Sequence, residues 1–424
     1  MSKVCVVGLG YVGIPVAAKF AEAGHGVTGI DIDEGKVEKI NRAEYPLKGQ
    51  EPGIQDLLEK VVSSDRLKAS TDFGECGDAD FITICVQTPL KDDNPDNSYL
   101  ESACEEVGRS LTEGCVVSVE STLAPRTMAK VVKPILERSS GLRAGKDFYL
   151  VHCPERVRPG HLLEQLETFD RVIGGIDKQS ALKAKDFYKD VINADLDITD
   201  MTTAEVVKTT ENAYRDTQIA FANEIALLSE EVGIDVFEVR NLVNKCPWRD
   251  MHIPGTGVGG HCIPVDPLLL ISSVQGTDIP KVIPASRNRN DEMPRHLVEL
   301  ITEEIDPKSK VSLLGLSYVK DTEDARNSPA LVVKDELEDG GYEVSVHDPW
   351  NEDLSVEFEE CLKGSSCLVL ATDHSAFERL KPEGMLKKIK NWMDKPFIAD
   401  GRNFFDKKKC EKLGFTYRGI GKGK

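Results

Sequence analysis

The 424-residue chain lacks several features that would place it at once in a large class of proteins. It has no apolar run approaching the ~18 residues of a membrane span, and it has neither a repeat array nor a low-complexity segment. Basic residues are too few to balance the acidic ones, which leaves a formal net charge of −19. Such a charge argues against nucleic acids and anionic membranes as partners.

The chain also lacks a paired-cysteine motif. Its 11 cysteines contain no CxxC, and Cys5, Cys85 and Cys115 stand inside apolar runs, as reduced core thiols do in cytosolic proteins. The first residues, MSKVCVV, show no signal-peptide pattern, so we expect a cytoplasmic protein. The residues that come nearest to a metal-binding set are His252, His261 and Cys262. Two of them are adjacent and no fourth ligand follows, so we expect no metal.

An N-terminal nucleotide-binding pattern is present instead. An apolar run, Lys3 to Val7, predicts a buried strand and leads directly into GLGYVG. A helical stretch from Ile14 to Ala23 and a second strand from Val27 to Ile30 follow, and that strand ends at Asp31. This order of strand, glycine turn, helix, strand and acid is typical of dinucleotide-binding domains.

The glycines and the acid have distinct expected roles. Gly8 would form the tight turn, Gly10 would let the backbone approach a pyrophosphate, and Gly13 would let helix and strand pack closely. Asp31 would accept a hydrogen bond from a ribose 2′-hydroxyl, which favours NAD over NADP, although Lys36 weakens the repulsion of a 2′-phosphate. The alternative is a glycine turn in an unrelated α/β unit.

Three regions follow one another along the chain. The fold class we predict is α/β: two Rossmann-like doubly wound parallel-sheet domains joined by a central helical domain with one long helix. The predicted boundaries are 1–196, 197–300 and 301–424. The stretch from Thr202 to about Val243 would form the long helix and shorter ones, and its small residues suggest a homodimer interface. The basic tail, 421–424, is expected to be disordered.

One cysteine stands apart from the rest. Cys262 lies in GTGVGGHCIPVD, just beyond four glycines, which would leave a thiolate open to substrate from several sides. A cysteine combined with a nicotinamide can hold an aldehyde as a thiohemiacetal and form a thioester. The alternative interpretation is a buried thiol. Lys208 and Asn212, four apart on the predicted helix, share a face and together suit an oxyanion.

These residues resemble the UDP-glucose/GDP-mannose dehydrogenase family over nearly the whole chain. The resemblance rests on GLGYVG, VQTP (86–89), ESTLAP (120–125), CPERVRPG (153–160), AEVVKTTENAYRD (204–216), GTGVGGHCIPVD and LGLSYVKDTEDARNSPA (314–330). Within the family, the sequence is most similar to the branch that oxidises UDP-N-acetyl-D-mannosamine. UDP-N-acetylglucosamine or UDP-N-acetylgalactosamine ranks second and UDP-glucose third.

The resemblance implies NAD as cofactor, a UDP-sugar as substrate and four-electron oxidation at C6. It makes Cys262 the nucleophile, with Lys208 and Asn212 as oxyanion donors, and it leaves open whether Lys208 also acts as a base. Glu155 and Asp266 would orient or deprotonate water, which Thr122 would hold. The implied cofactor-binding residues are Gly8, Gly10, Tyr11, Val12, Gly13, Asp31, Lys36, Thr88 and Thr122. The implied substrate-binding residues are Glu155, Arg156, Lys208, Asn212, Arg249, Gly259, Lys320, Arg326 and Arg402.

Structural interpretations of the same residues remain open. Lys208 could pair with Glu205 or Glu211 on a solvated face, and Asn212 could be an exposed polar residue. Glu155 could pair with Arg156 or Arg158, and any of the substrate-side arginines could form a surface salt bridge. Two other functions are open: a single-hydride dehydrogenase of the β-hydroxyacid kind, and a nucleotide-sugar sensor without turnover.

Overall fold

A computed structural model of the chain describes residues 1–47, 51–157 and 160–423. The chain divides into two compact units, 1–211 with 268–276 and 212–267 with 277–424. The division falls inside the long helix that the sequence predicts. The three-domain boundaries at 196 and 300 stay a prediction.

The first unit is built on an eight-stranded sheet. Its strands are β1 (Lys3–Val7), β2 (Gly26–Ile30), β3 (Leu67–Ser70), β4 (Phe81–Ile84), β7 (Val116–Val119), β8 (Tyr149–His152), β9 (Arg171–Gly175) and β10 (Leu196–Asp200), and a short hairpin is formed by β5 (Leu90–Lys91) and β6 (Asn94–Pro95). The sheet order is β10-β9-β8-β7-β4-β1-β2-β3.

Helices cover this sheet. They are α1 (Gly13–Glu22), α2 (Glu34–Asn41), α3 (Ile54–Ser63), α4 (Ser98–Ser110), α5 (Lys133–Ser140), α6 (Leu162–Thr168) and α7 (Lys178–Tyr188), with a 3-10 helix at Phe73–Asp78 and a π-helical turn at Met128–Val132. All residues of β4 and β7 are buried, because a parallel sheet with helices on both faces has no solvent face.

The strand order places the glycine turn at a switch point. β2 follows β1 on one side and β4 lies on its other side, so the turn after β1 opens where the order reverses. Ligands of such sheets bind at this position. One pairing departs from the parallel pattern: β8 runs antiparallel to β9.

The second unit has a five-stranded sheet that is parallel throughout. Its strands are β11 (Lys310–Leu314), β12 (Glu343–His347), β13 (Cys367–Leu370), β14 (Phe397–Asp400) and β15 (Thr416–Gly419), in the order β12-β11-β13-β14-β15. The helices along this part of the chain are α9 (Val236–Val243), α10 (Asp266–Ser272), α11 (Val282–Thr302), α12 (Pro329–Asp339), α13 (Phe358–Leu362), α14 (Glu383–Trp392) and α15 (Lys407–Lys412), with 3-10 turns at Glu352–Leu354 and Ser375–Leu380. No helix in the described ranges is long and apolar enough to cross a bilayer.

The predicted long helix is α8 (Met201–Val232). The predicted fold class is therefore confirmed: two parallel-sheet, Rossmann-like regions with a helical region and one long helix between them in sequence. The small residues of α8 do not form an exposed surface, however. Ala213, Ala220, Ala222 and Ala226 are all buried within the chain, so close packing inside the protomer uses them.

The basic tail is ordered up to Gly423, contrary to the expectation. Gly421 donates its N–H to Glu230 Oε1 (2.6 Å) and accepts from the Val236 N–H (2.8 Å), and Lys422 Nζ bonds Asp235 Oδ2 (2.6 Å). A Cβ at Gly421 would lie 2.1 Å from Val236 Cγ1. The tail is thus held by backbone hydrogen bonds and by one lysine–aspartate pair, whose partners lie far earlier in the sequence.

Candidate active site

The glycine turn after β1 fits a dinucleotide. Gly8 has a φ of +94°, and a Cβ there would lie 2.6 Å from Cys85 O, while a Cβ at Gly13 would lie 1.8 Å from Gly8 O. Gly10 is different, because a Cβ built there meets no atom within 4 Å. The open side of Gly10 therefore gives a ligand access to the backbone. Val12 adds no side-chain cap to the N-terminus of α1, which suits an anion there.

Asp31 fixes this turn and keeps room for one more hydrogen bond. It is 8% exposed, and its Oδ2 accepts from the Leu9 N–H (2.8 Å) and from Lys36 Nζ (3.4 Å). Its Oδ1 accepts from the Asp33 N–H (3.0 Å). A carboxylate has about four lone-pair positions, so Oδ1 can still accept from a ribose hydroxyl. Tyr11 is exposed and Val12 half-buried beside the turn.

The two predicted threonines lie together at the ends of neighbouring strands. Thr88 follows β4 and Thr122 follows β7, and Thr88 Oγ1 donates to Thr122 O over 2.7 Å. Both are half-buried. They lie at the carboxyl edge of the same sheet as the glycine turn, as their predicted cofactor contact requires.

Glu205 of α8 holds the segment after Thr122. Its buried carboxylate accepts from the backbone N–H groups of Arg126 (2.6 Å) and Met128 (2.7 Å). Burial raises the pKa of Glu205 to about 7, against the lowering effect of these two hydrogen bonds. Glu205 is therefore not a partner of Lys208, which one structural interpretation had suggested.

Glu155 belongs to a buried charge cluster. It is 7% exposed and pairs with Arg171, which also pairs with Glu120 (3.4 Å). Glu120 further accepts from Thr83 Oγ1 (3.0 Å) and from the Tyr188 hydroxyl (2.9 Å). Burial raises the pKa of Glu155, while the Arg171 charge acts against the rise. Two carboxylates thus share one buried guanidinium.

Arg156 is not the ion-pair partner of Glu155. Its side chain pairs with Glu211 (2.6 Å) and donates to Asp170 O (2.8 Å), and only its backbone N–H bonds Glu155. The suggested pairing with Arg158 lies outside the described residues. Glu211 therefore pairs with Arg156 and not with Lys208. Lys208 is half-buried, and its charge counteracts part of the rise in the pKa of Glu155 that burial causes.

Cys262 is exposed, so the interpretation as a buried thiol is wrong. Its carbonyl accepts from the N–H groups of Val265 (3.1 Å) and Asp266 (2.8 Å), which forms the turn into α10. Asp266 is 3% exposed, and its Oδ2 accepts from Asn212 Nδ2 over 2.6 Å. Asn212 is therefore not merely an exposed polar residue, because a hydrogen bond joins it to the turn that carries the cysteine.

The glycines before Cys262 also have a packing role that was not expected. A Cβ at Gly257 would lie 2.9 Å from Asn290 O, one at Gly259 would lie 2.5 Å from Tyr318 Cβ, and one at Gly260 would lie 2.6 Å from the Tyr318 ring. These glycines let the loop backbone pack against the protein. Gly259 is thus placed by packing against Tyr318, and its predicted contact with substrate stays a prediction.

A buried network anchors the same loop. Asn223 Oδ1 accepts from the Gly255 N–H (2.9 Å), and Asn223 Nδ2 donates to Asn290 Oδ1 (2.9 Å). Asn290 Nδ2 in turn donates to Asp216 Oδ1 (2.8 Å), and Arg287 pairs with Asp216. α8 and α11 thereby hold the start of the cysteine loop through side chains that are almost fully buried.

The predicted substrate-side cations occupy several places in the second unit. Arg326 forms a bidentate pair with Asp324 (2.8 and 2.6 Å), in a segment whose Asn327 donates to Gly260 O (3.1 Å). Arg402 bonds Asp373 (3.1 Å) and lies 3.1 Å from the position of a Cβ at Gly255. These two arginines therefore adjoin the cysteine loop. Lys320 is exposed, and Arg249 is exposed and bonds the carbonyl of Trp248 (3.0 Å).

Two neighbours of candidate residues, one in each unit, were not predicted from the sequence. Arg171 is the first residue of the apolar strand β9, and an arginine in such a strand could have indicated a buried ion pair. Burial raises the pKa of the Tyr318 phenol to about 12, and the neighbouring Asp324 and Cys262 add to the rise, which places Tyr318 near Cys262. Nothing in the sequence around Tyr318 indicated this proximity.

Comparison with known proteins identifies the family. Residues 2–192 match the NAD binding domain of the UDP-glucose/GDP-mannose dehydrogenase family, residues 202–292 its central domain and residues 312–407 its UDP binding domain. The chain belongs to this family, and its cofactor is NAD. It is an NAD-dependent nucleotide-sugar dehydrogenase.

Particular relatives cover the full length. UDP-N-acetyl-D-mannosamine dehydrogenase of Pyrococcus horikoshii is 38% identical over 427 residues, which is 99% of each chain. A solved structure of UDP-D-ManNAc dehydrogenase from the same organism has a TM-score of 0.93 at 38% identity, covering 99% of each chain. A structure of NDP-N-acetyl-D-galactosaminuronic acid dehydrogenase from Methanosarcina mazei Go1 has a TM-score of 0.88 at 37% identity, covering 100% of this chain and 95% of the other.

Replacing two glycines of the β1 turn by alanine separates packing from ligand binding. Gly13→Ala is expected to lower the free energy of unfolding by about 3 kcal/mol or more, because the new Cβ collides with the backbone at Gly8. Gly10→Ala should change it by less than about 1 kcal/mol, since the Cβ meets no protein atom, but should weaken NAD binding at least ~tenfold. Urea unfolding and NAD titration measure the two effects. Equal destabilisation by both substitutions would contradict the assignment of Gly10 to the ligand.

The raised pKa of Glu205 predicts a pH dependence of stability. Between its ordinary value of 4.5 and about 7, the folded chain binds a proton that the unfolded chain has released. The free energy of unfolding therefore falls as the pH rises through this window, by up to about 3 kcal/mol. Glu205→Gln should gain that amount relative to the wild type between pH 5 and pH 8 in urea unfolding. The exposed control Glu238→Gln should not, and parallel pH profiles for wild type and Glu205→Gln would refute the effect.

Proposed function

We propose that the protein oxidises UDP-N-acetyl-D-mannosamine at C6 to the uronic acid by way of a covalent bond to Cys262. The observation that carries this proposal is the exposure of Cys262 on a turn whose next residues include the buried, hydrogen-bonded Asp266. Most other cysteines of the described chain are buried. The similarity of the chain, in sequence and in structure, to the UDP-N-acetyl-D-mannosamine dehydrogenase of Pyrococcus horikoshii supports the choice of sugar.

The chemistry requires two oxidations on one sugar. NAD, when bound, accepts a hydride, and two NAD are consumed per acid formed. The first oxidation converts the C6 alcohol to an aldehyde. The Cys262 sulfur then adds to the aldehyde carbon to give a thiohemiacetal, whose oxidation leaves a thioester. Water cleaves the thioester, which releases the acid and returns the thiol.

Asn212 and Lys208 would stabilise the oxyanions of these steps. They are one turn apart on α8, and the hydrogen bond from Asn212 to Asp266 holds the amide in place. An amide N–H and an ammonium group aimed at one oxygen favour an alkoxide over a neutral alcohol. Lys208 would also serve as the base of the first oxidation if it releases its proton to solvent.

Glu155 would activate the water that cleaves the thioester, with Thr122 holding that water. Burial raises the pKa of Glu155, which makes its carboxylate a better proton acceptor near neutral pH. Arg171 fixes the position of the carboxylate. Asp266 is proposed for the same hydrolytic step.

The UDP moiety would bind to the cations of the second unit. Arg326 and Arg402 adjoin the cysteine loop but are engaged by Asp324 and Asp373, so a diphosphate would compete with these carboxylates. Arg156, Lys320 and Arg249 are proposed as further contacts. The acidic character of the whole protein makes such a local concentration of arginine necessary for an anionic substrate.

The central test is the yield of NADH per sugar. Wild-type protein given a limiting amount of UDP-N-acetyl-D-mannosamine should form two NADH per sugar, because both oxidations occur before release. Cys262→Ala should form no acid, with a loss of at least ~1,000-fold in the rate of acid formation, since the covalent step is removed. NAD titration should give the same Kd for both proteins.

The control is Cys410→Ala, which removes a buried thiol of α15 and should keep the stoichiometry of two. UDP-N-acetylgalactosamine, UDP-N-acetylglucosamine and UDP-glucose are assayed alongside and should give lower kcat/KM. One NADH per product would identify a single-hydride dehydrogenase, and binding of NAD and UDP-sugar without NADH would identify a sensor. A higher kcat/KM for another sugar would overturn the substrate assignment alone.

We also propose that the protein forms a homodimer through α8. Tyr214, Phe221 and Leu228 recur every seven residues on one face of this helix and are 64%, 59% and 52% exposed. Three large apolar side chains in a row form a surface that a second copy of the same helix would cover. The exposed face thus consists of large residues, and the small ones lie inside the protomer.

The substitution Phe221→Arg should dissociate this dimer, because it places a charge at the centre of the apolar row. Sedimentation equilibrium should show a shift from twice the chain mass toward the mass of one chain, with a Kd raised at least ~100-fold. The control Tyr99→Arg changes an aromatic side chain of α4 that is 52% exposed, and it should leave the assembly intact. Equal masses for wild type and Phe221→Arg would exclude α8 as the interface.

A further inference from the structure

Two buried cysteines of the first unit are in direct contact. Cys5 lies in β1 and Cys76 in the 3-10 helix Phe73–Asp78, and their sulfurs are 2.6 Å apart although the residues are 71 positions apart in sequence. Each is 1% exposed. Sulfur–oxygen contacts of other thiols are longer although oxygen is the smaller atom: 3.8 Å from Cys85 to Thr83 Oγ1, 3.6 Å from Cys115 to Val116 O and 3.2 Å from Cys361 to Ser345 O. The Cys5–Cys76 contact is therefore unusually short for two thiols.

We propose that Cys5 and Cys76 form a site of covalent modification, an intramolecular disulfide that joins β1 to the Phe73–Asp78 turn. A disulfide has an S–S length of about 2.05 Å, so the two sulfurs need to approach by only roughly 0.6 Å. Both side chains already belong to one hydrophobic cluster, and the bond requires neither of them to leave it. Nothing in the proposed catalytic chemistry uses either thiol.

The reaction is a thiol–disulfide exchange with a small disulfide such as oxidised glutathione. One protein thiolate attacks a glutathione sulfur, which forms a mixed disulfide and releases one glutathione thiol. The second protein thiol, after losing its proton, attacks the protein sulfur of the mixed disulfide and releases the second glutathione. Two thiols are oxidised, one glutathione disulfide is reduced to two thiols, and one S–S bond replaces another.

Burial controls the rate of this exchange but not its product. The hydrogen bond with Cys76 and burial both raise the pKa of the Cys5 thiol, so thiolate is scarce at neutral pH. The exchange should therefore be slow in the folded protein and faster at higher pH. Once formed, the bond links two residues that are 71 positions apart, which restricts the unfolded chain and stabilises the fold.

The disulfide would lie close to the glycine turn that follows β1. Cys5 stands three residues before Gly8 on the strand that enters the turn. Cys76 lies on the turn that leads into β4, the neighbour of β1. The disulfide would thus tie the strand that carries the glycine turn to the segment before its partner strand.

The test uses the full-length protein in glutathione redox buffers of increasing oxidised fraction, followed by alkylation, digestion and mass spectrometry. A peptide pair joined through Cys5 and Cys76 should accumulate and disappear on reduction. The same buffers are applied during refolding from urea, so that burial of the two thiols cannot prevent their reaction with glutathione. The oxidised protein should melt at least ~3 °C higher than the reduced protein.

Matched variants identify the pair. Cys5→Ser and Cys76→Ser should each abolish the cross-linked peptide, and either one serves if the other fails to fold. Cys104→Ser, which changes a buried thiol of the same cluster, should retain it. Absence of the joined peptide in both native and refolding buffers, or a dominant bond from Cys76 to Cys115, would overturn the proposal.

Discussion

Buried carboxylates hold the backbone of four loops that carry or adjoin candidate site residues. Asp31 binds the Leu9 N–H in the glycine turn, and Glu205 binds the N–H groups that follow Thr122. In the second unit, Asp348 binds the Leu316 N–H before Tyr318, and Asp400 binds the Arg402 N–H (2.9 Å). Loops at the ends of buried parallel strands leave N–H groups that water cannot reach, and an unpaired buried N–H costs about 1 to 3 kcal/mol. These carboxylates satisfy them and fix the loop conformations.

Each sheet has an aspartate after one strand that binds the backbone of a neighbouring loop, but the two aspartates differ in their remaining hydrogen bonds. Asp31 follows β2 and accepts from Leu9, which comes after Gly8, the first residue beyond β1. In the same way Asp348 follows β12 and accepts from Leu316, which comes after Gly315, the first residue beyond β11. Asp348 also accepts from Ser317, Trp350, Asn351 and His374, which fills its lone pairs and holds its pKa at about 2 despite burial. Asp31 keeps one position open. Only Asp31 can therefore receive a ribose hydroxyl, which agrees with the match of the first region to an NAD binding domain.

The sequence predicted those features that depend on residues close to one another along the chain. The glycine turn, the helix spacing of Lys208 and Asn212 and the alternation of strands and helices are local, and the fold class that they indicate is confirmed. Contacts between distant segments could not be predicted. The pairing of Glu155 with Arg171 and the contact of Tyr318 with the cysteine loop depend on which strands and loops become neighbours. The tail was wrongly expected to be disordered because the residues that hold it, Glu230, Asp235 and Val236, lie far from it in the sequence.

The exposure of Cys262 follows from the packing of the glycines before it. Gly257, Gly259 and Gly260 bring the loop backbone against Asn290 and Tyr318, closer than any side chain would allow. The inner face of the loop is thereby occupied by protein, and the two residues after the glycines, His261 and Cys262, remain exposed. Asp266 and its hydrogen bond to Asn212 then fix the other end of the turn. The role proposed for Cys262 needs both exposure and a fixed position of the thiol. In this loop the packing of the glycines leads to the exposure, and the buried hydrogen bonds fix the position.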